Sequence, residues 1–136
     1  MKTSYIITKN RVLALCLLLL SSCDSGILWS DHPYEVHWVD THSNVTLARR
    51  INGGPDTIGR VEAEVVAVGS NSKYVVAKQI ELGGSSVNFF YIEKAKDDTY
   101  LNLEEITKGP FSEKRFNELK ATLNLPEFNK EFRRTK

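Results

Sequence analysis

The sequence predicts an α+β fold that is mostly β: an N-terminal hairpin and a three-stranded antiparallel meander, covered by one C-terminal helix. Three observations carry that expectation. Apolar residues recur with a two-residue period through most of the chain, glycine- and serine-rich turns divide the runs, and a three-to-four-residue period appears only after Ser112. Tyr34, Val36 and Trp38 alternate with Glu35 and His37, and after turn chemistry at Thr41 to Asn44 the pattern resumes with Val45, Leu47 and Ile51, giving the hairpin. Asn52-Gly53-Gly54-Pro55-Asp56 then breaks the chain, because asparagine and glycine accept positive φ and proline withdraws a ladder donor.

The meander follows. Val61, Ala63, Val65 and Ala67 alternate with Arg60, Glu62 and Glu64, placing the charged set on a solvated face. Gly69-Ser70-Asn71-Ser72 leads into Tyr74 to Leu82, and Gly83-Gly84-Ser85-Ser86 leads into Val87 to Lys94. In these last two strands both parities are apolar for part of their length, so both faces are expected to be covered. Ser112 is a suitable N-cap, Phe111 and Phe116 suit a hydrophobic staple, and Phe116, Leu119 and Leu123 form a stripe that Asn124-Leu125-Pro126 ends. Pro126 is positioned to open a last short helix through Phe128 and Phe132.

The N-terminus reads differently. Lys2, Lys9 and Arg11 precede nine apolar residues, Val12 to Leu20, where a spanning helix needs roughly 20. Leu20-Ser21-Ser22-Cys23 resembles the bacterial lipobox. That resemblance implies a signal peptide over residues 1–22, a diacylglycerol on the Cys23 thiol and cleavage just before it, with membrane attachment through that lipid. Residues 23–32 are then a short tether, 33–125 a single β-rich domain with its closing helix, and 126–136 a basic C-terminal tail. Within the tether, Ile27, Leu28 and Trp29 suit either the lipid interface or packing against the first strand.

The leader changes the charge that matters. The whole chain has 18 basic and 17 acidic residues, three of the basic ones ahead of Cys23, so the mature chain keeps 15 against 17. A net charge of −2 argues against nucleic acid as a partner. With Cys16 in the leader and Cys23 under lipid, disulfide and thiol chemistry are excluded. From Lys108 onward the balance reverses, with eight basic and four acidic residues that face either solvent or anionic head groups.

A second resemblance covers Val61 to Leu125. Val65-Val66-Ala67-Val68-Gly69, Lys73 to Lys78, Phe89-Phe90-Tyr91-Ile92 and Gly109-Pro110-Phe111-Ser112-Glu113 with Phe116 are similar to small, largely uncharacterised bacterial lipoproteins. It implies a short β domain with a closing helix and carries no catalytic residue.

Chemistry read directly from the residues is sparse. His32, His37 and His42 fall five apart, with Asp31 and Asp40 nearby, and are ligand types that zinc or copper accepts. On an extended strand they do not converge, and exposed or capping histidines are the plain alternative. Glu62 and Glu64 share one strand face, a spacing open to acid-base work or to simple solvation. There is no Gly-x-Ser-x-Gly elbow, and no cofactor is expected. The expected function is that of a membrane-anchored, non-catalytic binding module facing the periplasm, with an envelope protein or glycan as partner. Alternatives are an inhibitor or immunity protein against a secreted toxin or lytic enzyme, and an enzyme whose site the sequence does not reveal. Asp24 directly after Cys23 resembles the signal that retains lipoproteins at the inner membrane in enteric bacteria, a resemblance that slightly favours the inner membrane over the outer.

Overall fold

The computed structural model describes residues 25–132, so Cys23, Asp24 and the leader lie outside the described residues. The chain is mostly β, with two antiparallel sheets and few helices. The first sheet is a sequential meander of β1 (Ser25–Asp31), β2 (Tyr34–Val39), β3 (Thr41–Arg50) and β4 (Thr57–Val61). The second contains β5 (Val65–Ser70), β6 (Tyr74–Ile80), β7 (Val87–Glu93), β8 (Lys108–Phe111) and β9 (Lys130–Glu131), in the order β8-β7-β6-β5-β9. A single 3-10 turn (Lys94–Lys96), a one-turn helix α1 (Leu103–Ile106) and the longer α2 (Glu113–Leu123) complete it.

Alternation decides which face meets which. Val36, Val45, Leu47 and Val61 of the first sheet share one buried cluster with Val65, Val68, Val75, Ala77 and Ile92 of the second. The opposite parity of the second sheet, Val76 and Phe89, meets Phe116 of α2 and Leu125 in another cluster. That is why β6 and β7 are apolar on both parities: a sheet lies on one side and a helix on the other. Ser112 caps α2 as expected, its hydroxyl accepting from Arg115 N at 3.2 Å, and Asn124 ends it in the left-handed conformation at φ 59°.

Several expectations are corrected. Ser25–Asp31, read as tether, is the edge strand β1, paired with β2 from Ser25↔Val39 to Asp31↔Tyr34. Its register shifts between Ile27 and Trp29, leaving Leu28 as the extra residue of a bulge, and this irregularity hid the strand's alternation. Trp29 packs against the core, whereas Ile27 and Leu28 stay exposed. The alternation expected from Arg60 through Ala67 is not one strand. It ends in the first sheet at Val61, turns through residues 62–64, and resumes in the second sheet at Val65.

Among the described residues no helix follows α2. Asn129 N donates to Val68 O at 3.0 Å and Phe132 N to Val66 O at 2.8 Å, adding the two-residue β9 to the edge of β5, so the segment read as a tail is tied to the sheet from Asn129 to Phe132. Gly69 makes the approach possible, since a Cβ there would run into the Glu127 carbonyl oxygen. The turn expected to open with this glycine therefore starts beyond it.

The two sheets are also linked by charge. Asp31 Oδ2 at the end of β1 accepts from Lys94 Nζ at 2.7 Å and from Ser70 Oγ at 2.6 Å. These bonds hold the Asp31 carboxyl below its ordinary value, the Lys94 hydrogen bond contributing most. Because the folded pKa is depressed, this stabilisation is complete above the unfolded carboxylate value, about 3.9, and is lost as pH falls through the lower folded value. Acid titrations of unfolding free energy should therefore fall less steeply below about pH 4 for Asp31→Asn. The pair is partly exposed, so the difference should be about 1 kcal/mol or less. Parallel curves for parent and variant would remove the claim.

Candidate functional site

The outer face of the first sheet, turned away from the second, carries the most distinctive polar group. On β2 the core side is Tyr34 and Val36, so Glu35, His37 and Val39 point outward. In register with them are Ile27 of β1 opposite His37, and Thr46 and Ala48 of β3 opposite His37 and Glu35. Ala48 in turn faces Gly59 of β4, with nothing near the position a Cβ would occupy. Small residues thus keep the floor low. The result is an open cleft of about 580 Å³ lined by Ser25, Gly26, Ile27, Glu35, His37 and Val39, with Arg50, Pro55 and Thr57 on the far wall.

Two of its lining side chains, Glu35 and His37, form a line that continues to Thr46 on the neighbouring strand. Thr46 Oγ1 stands 3.3 Å from His37 Nε2, and His37 Nδ1 stands 3.2 Å from Glu35 Oε1. Glu35 is only 4% exposed, an unusual state for a carboxylate, and Arg50 answers its charge with Nε 2.6 Å from Oε2. That contact is an ion pair without an aligned N–H, and Oε2, shut off from solvent, has no hydrogen-bond donor of its own. Arg50 Nη1 also donates to Gly54 O at 3.3 Å, fastening the loop that forms the wall. The cleft therefore presents a guanidinium, an imidazole and the Thr57 hydroxyl above a buried carboxylate, which suits a ligand rich in both donors and acceptors.

A second polar group is structural. Arg60, expected on a solvated face, is fully buried, with its side chain against that of Asp97, which is equally buried. All five guanidinium N–H groups are used: Nε is shared between the two Asp97 oxygens, Nη1 donates to Gly59 O and Leu101 O, and Nη2 donates to Asp97 Oδ1 and Asp98 O. Tyr34 donates to Asp97 Oδ2 at 2.8 Å, and burial together with that carboxylate pushes the phenol's pKa up. Arg49 lies on the same side, Nε 3.8 Å from Asp97 Oδ2, beside a cleft of about 430 Å³ at the far end of the sheet.

The candidate residues of the sequence separate. His37 sits in the first cleft, His32 lines the far-end cleft, and His42 stacks on Trp38 at 4.1 Å. Among the described residues no group of three His, Cys, Asp or Glu side chains is placed to hold a metal ion. Glu62 and Glu64 do not share a strand face. They occupy the passage between the sheets, Glu62 exposed and Glu64 buried. Cys23 lies outside the described residues. Glu35, Thr46 and Arg50 were missed as a group because parity alone reveals a shared face but not its concavity.

Among the described residues no helix is long and apolar enough to cross a membrane. One family profile, described as a protein of unknown function (DUF3997), matches residues 31–133. No curated protein and no solved structure matches the chain.

Proposed function

We infer, for a chain that belongs to the DUF3997 family, that it is a lipid-anchored binding module of the bacterial envelope, holding a polar ligand in the cleft on its first sheet. The observation that carries this reading is the buried Glu35 carboxylate, flanked by His37 and Arg50 in an open cleft. Burying an ion costs several kcal/mol unless it is answered, and a domain packed solely for stability would place an apolar side chain there. The chemistry suits a glycan or a polar stretch of an envelope protein, whose oxygens meet Arg50 while its hydroxyl, amide or amine hydrogens meet the Thr57 hydroxyl and the His37 ring. Cys23, two residues ahead of β1, supplies the anchor in this reading, and the domain faces the periplasm.

A hydrolytic reading draws on the same line, since hydroxyl, imidazole and carboxylate stand in the order that activates a nucleophile. Binding is preferred because Thr46 lies mid-strand, in register with His37, and is not among the residues that line the cleft.

Photo-crosslinking in living cells tests the proposal. A photoreactive residue replacing Thr57 in the cleft wall should yield a discrete adduct with an envelope component, and His37→Ala should reduce it severalfold. The same probe replacing Lys96, whose exposed side chain lies outside the cleft, should give none. Equal labelling at both positions, or adducts indifferent to His37→Ala, would remove the cleft from the function.

A further inference from the structure

We propose that the anchor-proximal end of the first sheet is a docking surface for an anionic lipid bilayer, so that the domain lies against the membrane in one orientation. The proposal rests on the reading of Cys23 as the lipidated residue.

Chain length comes first. Only Asp24 separates Cys23 from Ser25, where β1 begins, and two Cα steps span about 7 Å at full extension. The end of the sheet carrying Ser25 and, opposite it, Val39 is thereby held at the head groups.

The residues at that end fit such a place. Ile27 is 56% exposed, and Leu28 and Val39 are each 38% exposed, so large apolar side chains face outward within three residues of the start of β1 and at the end of the strand beside it. Interior packing does not account for them. The bulge at Leu28 turns this residue towards a shallow cleft of about 250 Å³ shared with Trp38, His42, Val45 and Phe132. An aromatic with a polar edge beside exposed aliphatics is the composition that membrane interfaces favour.

Charge supplies the lipid class. Because β9 runs along β5, the C-terminal chain reaches this same cleft at Lys130 and Phe132, and it continues as Arg133-Arg134-Thr135-Lys136. Lys130 lies in this cleft, and three more basic residues, Arg133, Arg134 and Lys136, follow it in the sequence. They outnumber Asp24, Asp40 and Glu131, the acidic residues nearest in the chain or in the cleft, and favour an anionic surface over a zwitterionic one.

The other end of the sheet, with His32, Asn52 and Tyr100 around the far-end cleft, is about 20 Å away along β1 and faces the aqueous side. The polar cleft has Ser25, Ile27 and Val39 at its near end, so its mouth opens at the bilayer surface, within reach of ligands carried in the membrane plane.

Depth-dependent fluorescence quenching tests the orientation on the processed, lipidated chain. Cys16 leaves with the leader and Cys23 is blocked by lipid, so a cysteine introduced by Leu28→Cys, Val39→Cys, Asn52→Cys or Tyr100→Cys is the one free thiol for bimane. In vesicles of phosphatidylethanolamine and phosphatidylglycerol with brominated acyl chains, labels replacing Leu28 and Val39 should be quenched severalfold more than those replacing Asn52 and Tyr100. The contrast should shrink in phosphatidylcholine and in the Arg133→Gln/Arg134→Gln variant. Vesicle-bound protein with equal quenching at all four positions overturns the docking surface while leaving the anchor intact. Self-quenching between labels on two copies at Leu28→Cys would likewise overturn it, assigning the patch to a dimer. Protein lacking acyl mass on Cys23 and failing to sediment with vesicles would overturn the anchor, and this orientation with it.

Discussion

Asp97→Ala is expected to destabilise the domain by about 3–5 kcal/mol, the cost of leaving one member of a buried ion pair without its partner. The basis is the complete enclosure of Arg60, whose side chain and that of Asp97 are both fully buried. Removing the carboxylate strands a guanidinium that has no access to water and deprives the Tyr34 hydroxyl of its acceptor. A domain whose total stability lies in the usual range of about 5–15 kcal/mol would lose a large share of it. Urea unfolding followed by tryptophan fluorescence measures the loss, and Asp97→Asn separates charge from shape by keeping an acceptor for Tyr34. Replacing both partners, Arg60→Met with Asp97→Leu, is expected to recover most of the loss, because no uncompensated charge then remains. An Asp97→Ala midpoint within about 1 kcal/mol of the parent would show that water reaches Arg60 after all.

Phe116→Ala is expected to cost about 3–5 kcal/mol by a different route, the loss of aromatic surface and the cavity left behind. Phe116 is 2% exposed and is stacked between Phe89, at 5.1 Å between ring centroids, and Phe128, at 5.8 Å. It is also the sole fully buried residue of α2, with Leu119 and Leu123 packed half-buried against the same cluster. Phe128→Ala, at a half-buried position, should cost less than half as much, and the double variant should fall short of the sum because the two rings share a contact. Thermal unfolding by circular dichroism reads all three. A Phe116→Ala melting temperature close to the parent's would mean that the helix is held by its caps and the chain joining it to the sheet.

What was legible in the sequence divides along physical lines. β2, β3, β6 and β7 could be read because their alternation is regular and their turns carry glycine, asparagine or serine. α2 could be read from Ser112 and from the spacing of Phe116, Leu119 and Leu123. β1 was hidden by its bulge, which puts Ile27, Leu28 and Trp29 in succession, and β9 by its two-residue length and the proline ahead of it. The passage from β4 to β5 preserves the two-residue rhythm across a change of sheet, so periodicity had no means of marking it. Arg60 was misplaced for a related reason. Its partner comes from 37 residues away, and a residue that alternates with apolar neighbours is buried or solvated according to what the rest of the chain lays over it. The candidate site was half legible: parity put Glu35 and His37 on one face, while the contribution of Arg50 depended on the curvature of the sheet and the loop at Gly54.

The pairing of β9 with β5 also dictates an order of events. Val68 receives its partner from Lys130, more than sixty residues later and almost at the last described position. A chain emerging from the ribosome exposes the β5 edge until some sixty further residues have appeared. Such a nascent chain gains little from folding early. Loss of the segment from Lys130 onward would leave that edge bare for any strand that meets it, and products truncated there are expected in aggregates.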